Sequence, residues 1–189
     1  TIYDLKGKRV GVEVVGSGAE ASHRELFNAL GMSYDDFDEY HISVRESLDL
    51  LRTGGLDATF VSTAPPTAIL VEFGITTPFR IVNISDSDMA KVAETYPYYF
   101  AGLIPGGTYD GIPEDSTTVV GYTNAYVHKD LSEDVIYRIT KAIWERKERL
   151  IEAHPSQKLL SAEMVRDLDA IAPLHPGARK YYEEAGVIQ

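Results

Sequence analysis

The stretch Lys8-Arg9-Val10-Gly11-Val12-Glu13-Val14-Val15, followed at once by Gly16-Ser17-Gly18, decides the fold class of this chain. The valine-rich run predicts a buried strand, and the glycines after it predict a tight turn. Residues 19–30 then carry apolar side chains at helical spacing, and Gly31 ends the predicted helix. A buried strand that turns directly into a helix is typical of an α/β protein with a parallel sheet.

The same alternation continues along the chain. We predict further strands and helices in turn, at residues 40–44 (strand), 45–52 (helix), 56–61 (strand), 67–73 (helix) and 80–84 (strand). This order predicts a three-layer architecture, in which helices cover both faces of a parallel or mixed sheet.

The composition changes after the first part of the chain. Residues 97–115 are rich in glycine, proline and tyrosine and predict loops and short strands, and residues 116–128 favour β-structure. From Ser132 onward the pattern is helical, with apolar residues at helical spacing: Val135, Ile136, Ile139, Ile143 and Leu150. We expect Pro155 to end that helix and a shorter helix to run from about Pro176 to Gly186. The change in composition favours a boundary between regions 1–115 and 116–189.

Composition excludes several classes of function. The 189 residues carry a net charge of −11 with a pI of about 4.8 and no basic run, so we predict no nucleic-acid partner. The absence of cysteine excludes disulfides and thiolate metal sites. The histidines show no ligand-like pairing, so no metal or cofactor is predicted; they are at positions 23, 41, 128, 154 and 175. No apolar run approaches the length of about 18 residues that suggests a membrane span.

The turn Gly16-Ser17-Gly18-Ala19 is the sharpest candidate for a binding site. The unpaired N–H groups at a helix start can bind a carboxylate or phosphate, and glycine lets the anion approach closely. A purely structural alternative stays open, because Ser17 and Glu20 form the pattern of a capping box. Both interpretations can hold together, since a cap leaves other N–H groups free.

The same turn also matches Gly16-x-Gly18-x-x-Ala21, a dinucleotide fingerprint, which leaves a nucleotide-dependent oxidoreductase as the alternative function. The acid expected at the end of the second strand is out of place, because the acidic residues 35–39 precede the predicted strand. Tyr137-x-x-x-Lys141 has the spacing of the tyrosine–lysine pair of short-chain dehydrogenases. The same spacing also describes two neighbouring side chains one turn apart on a helix. No serine elbow or histidine–acid pattern indicates a triad, so no catalytic residue is predicted.

A second candidate follows the strand predicted at 56–61. Thr63 and Ala64 precede a predicted helix, and ligands of open α/β sheets collect at the carboxyl ends of strands. The alternative is a plain turn with proline in the first helical turn. In the aromatic segment, Tyr109 is the best candidate for a pocket residue because Gly106, Gly107 and Gly111 flank it.

Taken in order, these segments resemble the TAXI family of solute receptors, which serve TRAP-class membrane transporters. The similar segments are residues 4–10, Gly16-Ser17-Gly18, Asp35-Asp36, 50–54, 57–60, 96–99, 104–109, Pro173-Leu174-His175-Pro176-Gly177-Ala178 and 181–183. The resemblance covers the whole chain, and it depends on the order and spacing of pieces that are individually weak.

The resemblance implies a type II periplasmic-binding-protein fold, with a ligand between two α/β lobes and no catalysis. It implies that 1–115 form the second lobe, and that 116–189 supply a hinge strand and helices of a first lobe whose N-terminal segment is missing. The implied partners are a small carboxylate, such as glutamate or a dicarboxylate, and a TRAP-type permease. The implied location is outside the cytoplasm, as a secreted or lipid-anchored protein whose signal peptide has been removed. The family often has a hydroxyl residue where this chain has Ala19.

Overall fold

The computed structural model describes residues 1–153 and 160–189 as a mixed α/β protein. They divide into two compact units, Thr1–Tyr122 and Thr123–Gln189. The predicted boundary at 115 lies seven residues before Tyr122, because the strand that follows it pairs within the first unit. The assignment of either region to a lobe of a larger protein stays a prediction.

A three-stranded parallel sheet forms the centre of the first unit. Its strands are β1 (Arg9–Gly11), β2 (Asp38–Tyr40) and β3 (Ala58–Thr59), in the order β2-β1-β3. The parallel sheet confirms the predicted fold class. At the amino ends, the Arg9 guanidinium forms two hydrogen bonds of 3.0 and 2.8 Å with Asp57, which lowers the pKa of that carboxyl.

The predicted strand boundaries need correction. β1 is shorter than residues 8–15, because Glu13 adopts a φ of 71° and turns the chain out of the sheet. Val14 and Val15 are consequently 49% and 69% exposed rather than buried. β2 begins two residues before the predicted strand at 40–44, and β3 is shorter than 56–61. Residues 80–84 form no strand, although the N–H of Ile84 donates to the Thr117 carbonyl at 3.3 Å.

Nearby serine and glycine residues mark several starts and ends of the helices of the first unit. They are α1 (Gly18–Ala29), α2 (Val44–Thr53), α3 (Ala68–Thr76) and α4 (Asp86–Thr95). Serine side chains cap the first, second and fourth helices, and Gly54 ends α2 in a left-handed conformation. Short 3₁₀ turns occupy Ile2–Leu5 and Tyr34–Asp36. The predictions did not include α4.

An antiparallel pair completes the first unit. β4 (Tyr99–Ile104) pairs with β5 (Ser116–Gly121), and the register runs from Tyr99 opposite Gly121 to Ile104 opposite Ser116. The core of this unit centres on Phe27, which is fully buried and contacts Phe37 and Phe60 at ring distances of 4.9 and 5.0 Å. Its other buried members are Ile2, Leu5, Val10, Val12, Leu26, Leu30, Met32, Ile84, Met89 and Val92.

The second unit is helical where it is described. Its helices are α5 (Glu133–Glu145), α6 (Lys147–Ala153), α7 (Ala162–Ile171) and α8 (Pro176–Glu184), and α8 confirms the predicted C-terminal helix. Gly177 allows α8 to approach α5, since a Cβ at this position would lie 2.2 Å from the Glu133 carbonyl oxygen. Val165, Val187 and Ile188 form a small separate core.

The single long helix predicted from Ser132 is divided in two near Arg146. On α5 only Ile136 of the apolar series is buried; Val135, Ile139 and Ile143 are 39%, 50% and 43% exposed. The predicted stop at Pro155, like His154, lies outside the described residues. Among the helices that are described, none is both long and apolar enough to span a membrane.

Candidate functional site

The carboxyl edge of the parallel sheet gathers the loops that follow its strands. The loop after β1 comprises residues 12–17, and the loop after β3 comprises residues 60–67. Because β1 and β3 are adjacent and parallel, both loops emerge at the same edge of the sheet. The candidate residues Gly16 to Ala19 and Thr63–Ala64 therefore share one edge, as their positions after strands predict.

The first loop is organised by Ser17, the N-cap of α1. Its hydroxyl accepts a hydrogen bond from the Glu20 N–H at 3.1 Å, while its own N–H donates to the Val14 carbonyl at 3.1 Å. The predicted capping box is thus only half formed, because the Glu20 carboxylate binds the Arg24 guanidinium at 2.6 Å instead of returning to Ser17. Gly16, with a φ of 78°, makes the turn that precedes the cap.

The N–H groups of Gly18 and Ala19 have no hydrogen-bond partner among the described residues. Gly18 is exposed, Ala19 is partly exposed, and a Cβ at Gly18 would meet no atom within 4 Å. These two donors begin a helix of 12 residues, whose dipole places partial positive charge at the same end. The arrangement can bind one carboxylate or phosphate oxygen pair through the backbone alone.

Glu20 brings a charged group close to these donors. Its side chain is only 2% exposed, and burial by itself would raise its pKa. Hydrogen bonds from Arg24 and Tyr34 and the Arg24 charge outweigh burial, so the net pKa of Glu20 is lowered and the carboxylate stays ionised. Its charge is compensated by Arg24, whose own side chain is 56% exposed.

The second loop differs from its predicted form. Thr63 is exposed and Ala64 partly exposed, but α3 begins only at Ala68, after the cis peptide bond between Pro65 and Pro66. The prediction that Thr63 and Ala64 form a helix start is therefore wrong, because both residues lie at least four positions before Ala68. The loop offers the Thr63 hydroxyl and isolated N–H groups rather than the aligned donors of a helix.

Tyr109 lies against this second loop. Its ring is 4% exposed and contacts Phe79, which in turn contacts Phe73, at centroid distances of 5.8 and 5.9 Å. Its hydroxyl accepts a hydrogen bond from the N–H of Thr67, the N-cap of α3, at 3.2 Å. Tyr109 thus supports the loop that carries Thr63, and direct contact with a ligand stays a prediction.

One pair at this edge was missed by sequence reasoning. The buried His23 of α1 places Nε2 2.9 Å from the Ser62 hydroxyl, and its Nδ1 lies 3.3 Å from the Val12 carbonyl oxygen. Ser62 itself is exposed. The only sequence signal was position, since His23 lies on the helix after β1 and Ser62 just after β3. The pair lacks the acid of a triad, because a backbone carbonyl occupies Nδ1.

The features of the oxidoreductase alternative each have another place or partner in the structure. The acids Asp38 and Glu39 lie inside β2, whose last residue is Tyr40. Tyr137 donates to Glu184 at 2.6 Å, and Lys141 lies 3.8 Å from Glu145, so both side chains have partners within the second unit. Residues 1–153 and 160–189 contain no cluster of three or more acidic or histidine side chains able to hold a metal.

A comparison with known protein families gives a match over almost the whole chain. A family model described as NMT1-like matches residues 1–186, which is almost the whole chain. The family is one of periplasmic solute-binding proteins, which points to a binding protein rather than an enzyme and to a small ligand and a membrane transporter as partners. Its members are generally extracytoplasmic. This chain belongs to the NMT1-like family.

Proposed function

We propose that this protein is a receptor that binds a small carboxylate at the Gly16–Ala19 turn and delivers it to a TRAP-type permease. The observation that carries the proposal is the pair of unpartnered N–H groups of Gly18 and Ala19 at the carboxyl edge of the sheet. The Ser17 and Thr63 hydroxyls and the N–H of Ala64 would orient the ligand, and Tyr109 would line the same edge. The net charge of −11 does not oppose this site, because backbone donors act locally.

Two features narrow the ligand to a compact anion. Two adjacent N–H groups match the two oxygens of one carboxylate, and no lysine or arginine side chain is needed to complete the contact. A nucleotide would require an acid at the end of β2 for its ribose, and that position is Tyr40. The TAXI resemblance of the tyrosine-rich and C-terminal segments supports the partnership with a TRAP-type permease, and with it a location outside the cytoplasm.

The structure provides a sharp test at Gly18. Because Gly18 is the first residue of α1 and Ser17 has extended backbone angles (φ −74°, ψ 152°), proline fits at position 18 without disturbing the helix. The Gly18→Pro variant therefore deletes one N–H donor and leaves the fold intact. The Gly18→Ala variant is the matched control, since it adds a Cβ into open space and keeps the donor.

We expect wild type to bind at least one compound among glutamate, glutamine, 2-oxoglutarate and succinate in calorimetry. Gly18→Pro should weaken that binding by about 10- to 100-fold, the worth of one hydrogen bond to a charged group, while Gly18→Ala should bind nearly as wild type does. Equal affinity in a folded Gly18→Pro variant would contradict the site, and binding of NAD alone would overturn the proposal.

The permease partnership is tested separately. Proteoliposomes that contain a TRAP-type permease should take up the labelled carboxylate when wild-type receptor is added outside, and much more slowly with Gly18→Pro. Uptake that is independent of the receptor would contradict the partnership and would leave ligand binding untouched.

A further inference from the structure

The backbone is strained at Glu13, where the chain leaves β1. Glu13 has a φ of 71° and is the one residue other than glycine with a positive φ in the described ranges 1–153 and 160–189. A residue with a Cβ has a steric cost in this conformation, whereas glycine has none. Such a conformation persists only where the surrounding contacts hold it in place.

Two histidines from different elements hold the peptide groups on either side of this point. His23 of α1 donates from Nδ1 to the Val12 carbonyl at 3.3 Å, and His41, just after β2, donates from Nδ1 to the Glu13 carbonyl at 3.3 Å. A carbonyl oxygen can only accept a hydrogen bond, so the proton lies on Nδ1 in both rings. These contacts join residues 11 and 28 positions apart, so they form only in the folded sheet.

The local sequence favours a different conformation from the one observed. Val12, Val14 and Val15 flank Glu13, and β-branched side chains favour an extended strand. In the observed bent form, however, Val14 and Val15 are 49% and 69% exposed and belong to no strand. Local preference and tertiary contacts thus oppose each other at this point, a conflict that is typical of strained or functional segments.

An extended form is compatible with the register of the parallel sheet. The pairing of β1 with β2 and β3, continued by two residues beyond Gly11, sets Glu13 opposite Ile42 and Val61. Both of these residues are β-branched, and neither belongs to a strand in the structure. Residues 16–17 would join the longer strand to α1, and connections of this length are common between strands and helices.

We infer that Glu13 is a two-state conformational switch at the carboxyl edge of the sheet. In the bent form, which the two histidines hold, β1 ends at Gly11. In the extended form those two hydrogen bonds open and the strand lengthens to Val15. A compound that contacts the turn at Gly16 in only one of the two forms shifts the balance between them. The inference does not rest on the proposed carboxylate site.

Backbone NMR of the whole chain tests the switch without any ligand. Relaxation dispersion of ¹⁵N should detect exchange at residues 12–17 in wild type, because it reports motions on the μs–ms timescale. Glu13→Gly relieves the strain of the bent form and weakens the extended strand, so it should lower the population of the extended form about threefold or more. Glu13→Val should raise that population about tenfold, because a β-branched residue is strained at positive φ and favours a strand.

A second variant acts on the histidine rather than on the strained residue. His41→Phe keeps a ring beside Tyr34 and removes the donor to the Glu13 carbonyl. It should raise the population of the extended form about 3- to 10-fold, the worth of one hydrogen bond, and it carries the test if Glu13→Val does not fold. The matched control is Glu39→Val, which places valine at an exposed position of β2 without a positive φ and should leave residues 12–17 unchanged.

The backbone angle of residue 13 separates a switch from a rigid turn. A strong NOE between the amide and α protons of one residue marks a positive φ, and this NOE weakens when the residue becomes extended. It should weaken in Glu13→Val and His41→Phe as exchange increases. A strong NOE in both variants without exchange would overturn the inference, and so would wild-type exchange that Glu13→Gly leaves unchanged. Either result leaves the proposed receptor function standing.

Discussion

The loops after β1 and β3 leave the same edge of the sheet and yet present opposite chemistry. After β1, the chain enters α1 at Gly18, so its first N–H groups face outward as donors. After β3, two prolines delay α3 until Ala68, and the exposed group next to α1 is the Ser62 hydroxyl. The residues between the strand end and the helix start, above all the two prolines after β3, thus distinguish a loop with aligned backbone donors from one that offers a side chain.

The two loops are also held differently. In the first loop, the turn from Val14 to Ser17 is closed by its own residues, since the Ser17 N–H donates to the Val14 carbonyl and the Ser17 hydroxyl caps the helix. The rings of His23 and His41 contact only the carbonyls of Val12 and Glu13, which precede that turn. The second depends on distant partners, because Tyr109 binds the N–H of Thr67 and His23 binds Ser62. We therefore expect the second loop to be most sensitive to distant substitutions, and the turn of the first loop to local backbone substitutions.

Among substitutions in and around the two loops, Tyr109→Phe should lower the free energy of unfolding the most. The change keeps the aromatic ring in contact with Phe79 and removes only the acceptor for the Thr67 N–H. Loss of the partner of this part-buried N–H should lower the free energy of unfolding by about 1–2 kcal/mol, as measured by urea denaturation.

Tyr126→Phe is the control for loss of a hydroxyl, because Tyr126 is 83% exposed, and it should change stability very little. Equal stability of Tyr109→Phe and wild type would show that the second loop does not need its distant partner.

A smaller effect on stability is expected in the first loop. There, substitution by alanine should destabilise the protein at Gly16 but not at Gly18. Gly16→Ala forces a Cβ into a left-handed conformation with φ of 78° and should cost about 1 kcal/mol. Gly18→Ala places alanine at the start of a helix without a clash and should be neutral or slightly stabilising. Urea midpoints of the two variants compare them directly; a similar loss in both would contradict a loop closed by its own turn.

The smallest effect should appear in the dependence of stability on pH. Because burial lowers the pKa of His23 below its ordinary value of 6.5, the unfolded chain binds a proton at this site more readily than the folded protein. The stability contributed by the neutral ring is full above pH 6.5 and is lost as pH falls through the lowered pKa. The Val12 hydrogen bond and the Glu20 charge oppose burial and keep the effect small.

Urea denaturation of wild type and His23→Phe between pH 7.5 and 5.5 measures this difference. Wild type should lose more stability than the variant over this range. The lowered pKa of Glu20 places its own loss of stability below its ordinary value of 4.5, outside the range tested. Identical slopes for the two proteins would show that His23 is not held neutral.

Much of the fold was predictable, and the errors have a common cause. The starts and ends of α1, α2 and α8 were predicted to within one or two residues, because each depends on a nearby serine, glycine or proline. The strands were predicted too long, since valine favours β-structure at Val14 and Val15 whether or not a neighbouring strand is present to pair with them. Glu13, with its positive φ, gave no warning in the sequence.

The amino-acid sequence by itself determined the α/β class, the capped start of α1 and the glycine turn before it, because these features depend on residues a few positions apart. The tertiary structure decided which side chains meet at the sheet edge. His23 and Ser62 are 39 residues apart, and Tyr109 and Thr67 are 42 apart. No local preference encodes such pairs, since they form only when strands align in parallel and a helix packs across them.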